Sequence, residues 1–114
     1  MHEPPSFQDL VEDALAELPD DLRGAMSNVD VVVEDEPPDG APLLGLYQGV
    51  PLTRRTSRYG GALPDKITIY RGPLERLSHG DPERLRMQVR RVVLHEVAHH
   101  FGISDERLVE LDRY

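Results

Sequence analysis

Apolar residues recur at helical spacing in two stretches of this chain and at strand spacing between them. Ser6 can cap a helix whose apolar positions Phe7, Leu10, Val11, Ala14, Leu15 and Leu18 recur every three or four residues until Pro19 ends the pattern. After a short DDLRGAM segment, NVDVVVEDEPP carries a β-branched run closed by acids and two prolines, which predicts a strand of about five or six residues. PLLGLYQGVPL and DKITIYRGPL are two further strand candidates bounded by Gly and Pro. In the second, Ile67 and Ile69 alternate with Thr68 and Tyr70, placing the two pairs on opposite faces. The longest regular segment is predicted over 81–101, where Asp81 can cap and Pro82 is tolerated in the first turn. Leu85, Val89, Val92 and Val93 form its buried stripe, opposite Arg84, Arg86, Arg90 and Arg91. Beyond Val92, apolar residues at 93, 94, 97, 98 and 101 surround the cylinder, so this end is expected inside the protein. The order of segments predicts an α+β fold: an N-terminal helix, a sheet of three or more strands, helix 81–101 and a short terminal helix. No repeat or linker divides the chain, which is read as one domain over residues 1–114.

Composition narrows the chemistry. The chain has no Cys, so disulfides and thiolate metal sites are excluded and any transition metal must be held by His and carboxylates. A formal net charge of −8 argues against a nucleic-acid partner, which requires a cationic face. Arg54, Arg55 and Arg58 cluster in PLTRRTSRYGG, read as a solvated loop rather than a binding patch. The acidic N-terminus offers no basic leader, and no apolar run approaches the roughly 18 residues of a membrane span. A soluble, cytoplasmic protein with no membrane partner is expected, and its oligomeric state is not legible.

The candidate chemistry lies in VVLHEVAHHFGISDERL, residues 92–108. His95 and His99, four apart, project from one helical face and can both reach a tetrahedral Zn²⁺ at about 2.0–2.1 Å. Glu96 lies about 100° round from His95, where it can take a proton from an activated water. Two ligands do not complete a catalytic site, which usually takes three from the protein. If the helix continued, residue 105 would lie about 9 Å beyond His99 along the axis, out of reach of the same ion. Gly102 can end the helix in a left-handed turn, and Asp105 can then return a carboxylate as the third ligand. The same residues also admit a bland reading: His95 and His99 as core histidines, Glu96 as their counter-charge, Gly102 as a plain cap and Asp105 as an N-cap or first-turn acid of the terminal helix. His100 projects about 100° from His99 and is expected at the surface or in support of a ligand, while His2 and His79 fall in turns or at the terminus.

With HEVAHHFGISD in place, the chain resembles the zincin metallopeptidases, and more closely the small bacterial minimal zincins. The likeness runs over about residues 40–110, through GLYQGVPLT, LPDKITIYRGPLE and the long helix. Asp105 stands where most metzincins have a third His. All three Met residues precede the motif and nine residues follow Asp105, so neither a methionine turn nor a full metzincin C-terminal subdomain is expected. The resemblance implies a zincin-like fold with a small mixed sheet beside the active helix. It also implies a zinc-dependent hydrolase of peptide or protein substrates, which an edge strand would hold by backbone pairing. LLGLYQG or KITIYRG would be that strand, and Tyr47 or Tyr70 is the candidate donor to a transition-state oxyanion. Two alternatives come from other classes. The spacing H-x-x-x-H-x-x-x-x-x-[HD] also resembles metal-dependent endoribonucleases of ribosomal RNA maturation, and a zinc-stabilised interaction module would need no catalysis.

Overall fold

The computed structural model describes residues 5–24, 26, 28–49 and 65–102. The expected Arg54, Arg55 and Arg58 loop, Asp105, His2 and the short terminal helix lie outside these residues. Helix α1 spans Phe7–Ala16 and begins as the sequence predicts. The Ser6 hydroxyl accepts from the Asp9 amide, and the Asp9 carboxylate accepts from the Ser6 amide, each at 3.1 Å. This reciprocal pair satisfies two amides that an open helix end leaves unbonded. A one-turn helix α2, Asp20–Gly24, follows.

Three strands come next: β1 Val29–Glu34, β2 Gly45–Gln48 and β3 Asp65–Tyr70. Their order is β1-β3-β2, with β1 parallel and β2 antiparallel to the central β3. The sheet is therefore mixed, and with its flanking helices the chain is α+β. Gly45 pairs with Ile69 and Tyr47 with Ile67, so these four side-chain positions share one face with Asp65. Central placement buries both faces of β3, where Ile67 and Ile69 are fully covered and Thr68 and Tyr70 nearly so.

DKITIYRGPL departs from its expected reading at Arg71. There the strand gives way to helix α3, Arg71–Ser78, capped at His79 in a left-handed conformation. Pro73 is tolerated because it stands in the first turn, where amides have no intrahelical partner. Contacts remote in sequence settle the matter. Arg71 donates to Asp35 and Arg76 to Glu36, while the Gly72 amide donates to the Asp35 carbonyl at 2.8 Å. A Cβ at Gly72 would stand 2.8 Å from the Asp35 carbonyl oxygen and displace the Glu36 carboxylate, so glycine lets α3 begin this close to β1.

Helix α4, Pro82–His100, is the backbone of the fold. Asp81 caps it by accepting from the Glu83 and Arg84 amides, with Pro82 at the first helical position as expected. Its Val89, Val92, Val93 and Val97 meet Leu10, Val11 and Ala14 of α1, Ile67 and Ile69 of β3 and Leu74 of α3 in one hydrophobic cluster. Each Val, Leu or Ile among them stabilises the fold by about 1.5–3 kcal/mol when fully buried. Among the described residues no helix is long and apolar enough to cross a membrane.

Candidate active site

The last two turns of α4 carry the chemistry-bearing residues, and local sequence sets where they stop. Phe101 is the C-cap and Gly102 adopts φ +83°, the left-handed conformation expected of a terminating glycine. The Gly102 amide donates to the His99 carbonyl at 2.9 Å, closing the final turn. Four-residue spacing then brings His95 and His99 together: their Nε2 atoms lie 3.1 Å apart and their rings meet edge to face. Two lone pairs do not face each other at this distance without a proton or a cation between them. Nitrogens bound to one tetrahedral ion at about 2.0–2.1 Å lie roughly 3.3 Å apart, so the pair fits a shared Zn²⁺. Among the described residues no group of three potential ligands is assembled, and the third ligand expected, Asp105, lies outside them.

His95 and His99 are half-buried, whereas Glu96 is 7% exposed. The end of α4 is not enclosed on all sides as the run of apolar positions suggested. Leu94 is 42% exposed, because an open groove of about 760 Å³ runs along this face of the helix. Leu43, Leu44 and Leu46 form its strand side, and Leu94, His95, Glu96 and His99 its helix side, with Arg91 one turn before His95. Gly45 lets these two sides approach. A Cβ there would stand 2.8 Å from Val92 Cγ1, 3.1 Å from Glu96 Cγ and 3.2 Å from the Thr68 carbonyl oxygen. Glycine at this position seats Glu96 directly against β2.

Sheet order separates the two strands proposed for holding an extended ligand. KITIYRG is largely β3, paired on both sides, whereas β2 from LLGLYQG has one neighbour among the described residues and borders the groove. The tyrosines are separated as well. Tyr70 is buried at the N-cap of α3 and does not line the groove. Tyr47 lines it, but its hydroxyl donates to Asp65 Oδ2 at 2.6 Å, which directs its only proton away from a reacting carbonyl.

His100 does not lie at the surface, one of the two places expected for it. It is 1% exposed, with Nδ1 2.8 Å from Oδ2 of the fully buried Asp65. The signal was present in the sequence: Val92, Glu96 and His100 follow at four-residue intervals on the face that carries the core. Nothing local pointed to Asp65, which is 35 positions away.

The model of one protein family, described as zincin-like metallopeptidase, matches residues 26–114. The chain belongs to this family. Membership accords with the zincin-like α+β architecture and with the HEVAH helix beside a mixed sheet. The match takes in the three described strands, α3 and α4 and leaves out α1, although α1 supplies Leu10, Val11 and Ala14 to the core beneath the zincin-like helix. Among curated proteins none matched the chain.

Proposed function

We propose that this zincin-like chain is a zinc-dependent peptidase, with His95, His99 and Asp105 as metal ligands and Glu96 as general base. The observation that carries the reading is the convergence of His95 and His99 Nε2, 3.1 Å apart, beside a nearly buried Glu96 in a groove bordered by β2. Zinc bound there would supply Lewis-acid activation of a water and of the scissile carbonyl. Glu96 accepts the proton of the attacking water and passes it to the departing amine, a role suited to a carboxylate held against the strand by Gly45. The substrate is an extended peptide, pairing with the outer edge of β2 and laying apolar side chains against Leu43, Leu46 and Leu94.

The test is Glu96→Gln, which is nearly isosteric but cannot take a proton. Zinc content should stay near one equivalent while cleavage of a responsive peptide from a broad library falls about 10²–10⁴-fold. A rate within about threefold of wild type, with zinc retained, removes Glu96 from the role. Absence of cleavage by the zinc-loaded wild type across the library favours a non-catalytic zinc-stabilised module.

A further inference from the structure

We propose that Tyr47, Asp65 and His100 form a buried clamp that orients the last turn of α4 and thereby sets how tightly His95 and His99 hold a metal. The inference rests on the metal reading of those two histidines. Three elements meet at one carboxylate oxygen: Tyr47 of β2 donates to Asp65 Oδ2 at 2.6 Å, and His100 of α4 reaches the same atom at 2.8 Å. With the carboxylate accepting, Nδ1 carries the imidazole proton. Asp65 and His100 are 0% and 1% exposed, so their contact is shielded from water, and Tyr47 joins it as a part-buried side chain. Backbone has been shaped around them. Gly49 abuts Asp65 so closely that any Cβ would collide with the carboxylate, and its φ of +152° is one that L side chains rarely adopt. The His100 ring is held on two sides, edge-on to Tyr47 at 5.8 Å and to Phe101 at 5.3 Å between centroids.

This arrangement is costly if stability alone is considered. Among the described residues the buried His100 Nε2 has no hydrogen-bond partner, a loss that a leucine of similar size would avoid. What the imidazole adds is direction. The carbonyls of Val97, Ala98 and His99 accept from the Phe101 and Gly102 amides, bonds that close the final turn on itself without tying it to the sheet. His99 precedes His100 in that turn, with its nitrogen roughly 7 Å from the helix axis, and a twist of about 15° displaces it by roughly 2 Å. Metal–ligand distances tolerate only about 0.2 Å. A hydrogen bond from the next residue to the sheet removes that freedom. Tyr47, Asp65 and His100 are therefore positioning residues, acting on the metal through His95 and His99.

The experiment measures zinc affinity of the full chain by competition with a chromophoric chelator, alongside circular dichroism and thermal unfolding of the metal-free protein. Asp65→Asn and His100→Leu should remain folded and bind zinc about 10–100-fold more weakly than wild type, the range found when residues supporting metal ligands are lost. Tyr47→Phe should show a smaller loss in the same direction. His100→Asn, whose amide can donate from near the position of Nδ1, should recover much of the affinity lost in His100→Leu. Val11→Ala, a core truncation in α1, should lower thermal stability without changing zinc affinity. Clamp variants that bind zinc within about threefold of wild type overturn the proposal, as does an equal loss of affinity in Val11→Ala. Should Asp65→Asn and His100→Leu not fold, Tyr47→Phe decides, and unchanged affinity there overturns the clamp. A wild-type chain that takes up no zinc overturns both the clamp and the metal reading, whereas equal affinity in wild type and variants removes the clamp alone.

Discussion

Gly45 and Glu96 are packed so closely that a methyl group on the glycine would lie 3.1 Å from Glu96 Cγ, with Val92 Cγ1 nearer still at 2.8 Å. Val92 is β-branched and stiff within its helix, so it yields little. Gly45→Ala should therefore push α4 from β2 at the residue proposed as the base. The expected result is zinc content near wild type with a fall in kcat of about tenfold or more, since displacements near 1 Å cost about 10²-fold in well-positioned sites. Steady-state kinetics on a cleaved peptide, with metal analysis of the same samples, provides the check. An unchanged kcat shows that the strand gives way instead.

Gly102 holds φ +83° at the point where the chain leaves α4. A residue with Cβ costs about 1–2 kcal/mol in the left-handed region, and Asn less. Gly102→Ala should lower the Tm of the metal-free protein by several degrees, at about 4–8 °C per kcal/mol for domains near this size, with Gly102→Asn intermediate. Zinc affinity should fall with it, because the path from His99 to the proposed ligand Asp105 passes through this turn. Equal Tm values in all three proteins would show that the turn relaxes without cost.

Where these features were legible in the sequence, a helix made them so. The caps at Ser6 and Asp81, the stop at Gly102 and the pairing of His95 with His99 follow from spacings of two to four residues, which helical geometry converts directly into contact. Helix α3 was not legible, because Gly-Pro within RGPLERLS reads as a boundary until Asp35 and Glu36 are known to be its partners. Asp65 and Gly45 were not legible either. Their meaning lies in the register of β2 on β3 and in the height of α4 above the sheet, relationships with no local period. Leu94 was expected inside because its own helix is apolar around it, and it lies exposed because one side of α4 faces a groove.

The ion pair of Glu36 with Arg76 gives the stability a recognisable dependence on pH. The Arg76 hydrogen bonds hold the Glu36 carboxyl below its ordinary value of 4.5. A depressed folded value means that the contribution is present above the unfolded value and is lost as pH falls through the lower, folded one. Both groups are solvent-exposed, so the effect is small and screened by salt. Glu36→Gln should have a slightly lower Tm than wild type at pH 7, with the gap closing below about pH 4 and in about 1 M salt. A gap that persists under both conditions assigns the difference to packing against Gly72 rather than to charge.

The ligand set makes the strongest demand. His95 and His99 already face each other at 3.1 Å, so each is expected to be indispensable: removing one leaves a single imidazole. His95→Ala and His99→Ala should purify with almost no zinc and show no cleavage. Asp105→Ala retains both imidazoles and should weaken binding without abolishing it, because two nitrogens still chelate from one helical face. Asp105→His should restore occupancy, since imidazole suits Zn²⁺ at least as well as carboxylate. The measurement is metal content by mass spectrometry after purification without chelator, followed by chelator competition for those variants that retain metal. Full zinc affinity in Asp105→Ala would show that the third ligand lies elsewhere in the chain. Full affinity in His95→Ala would remove the paired histidines, and with them the proposed peptidase centre.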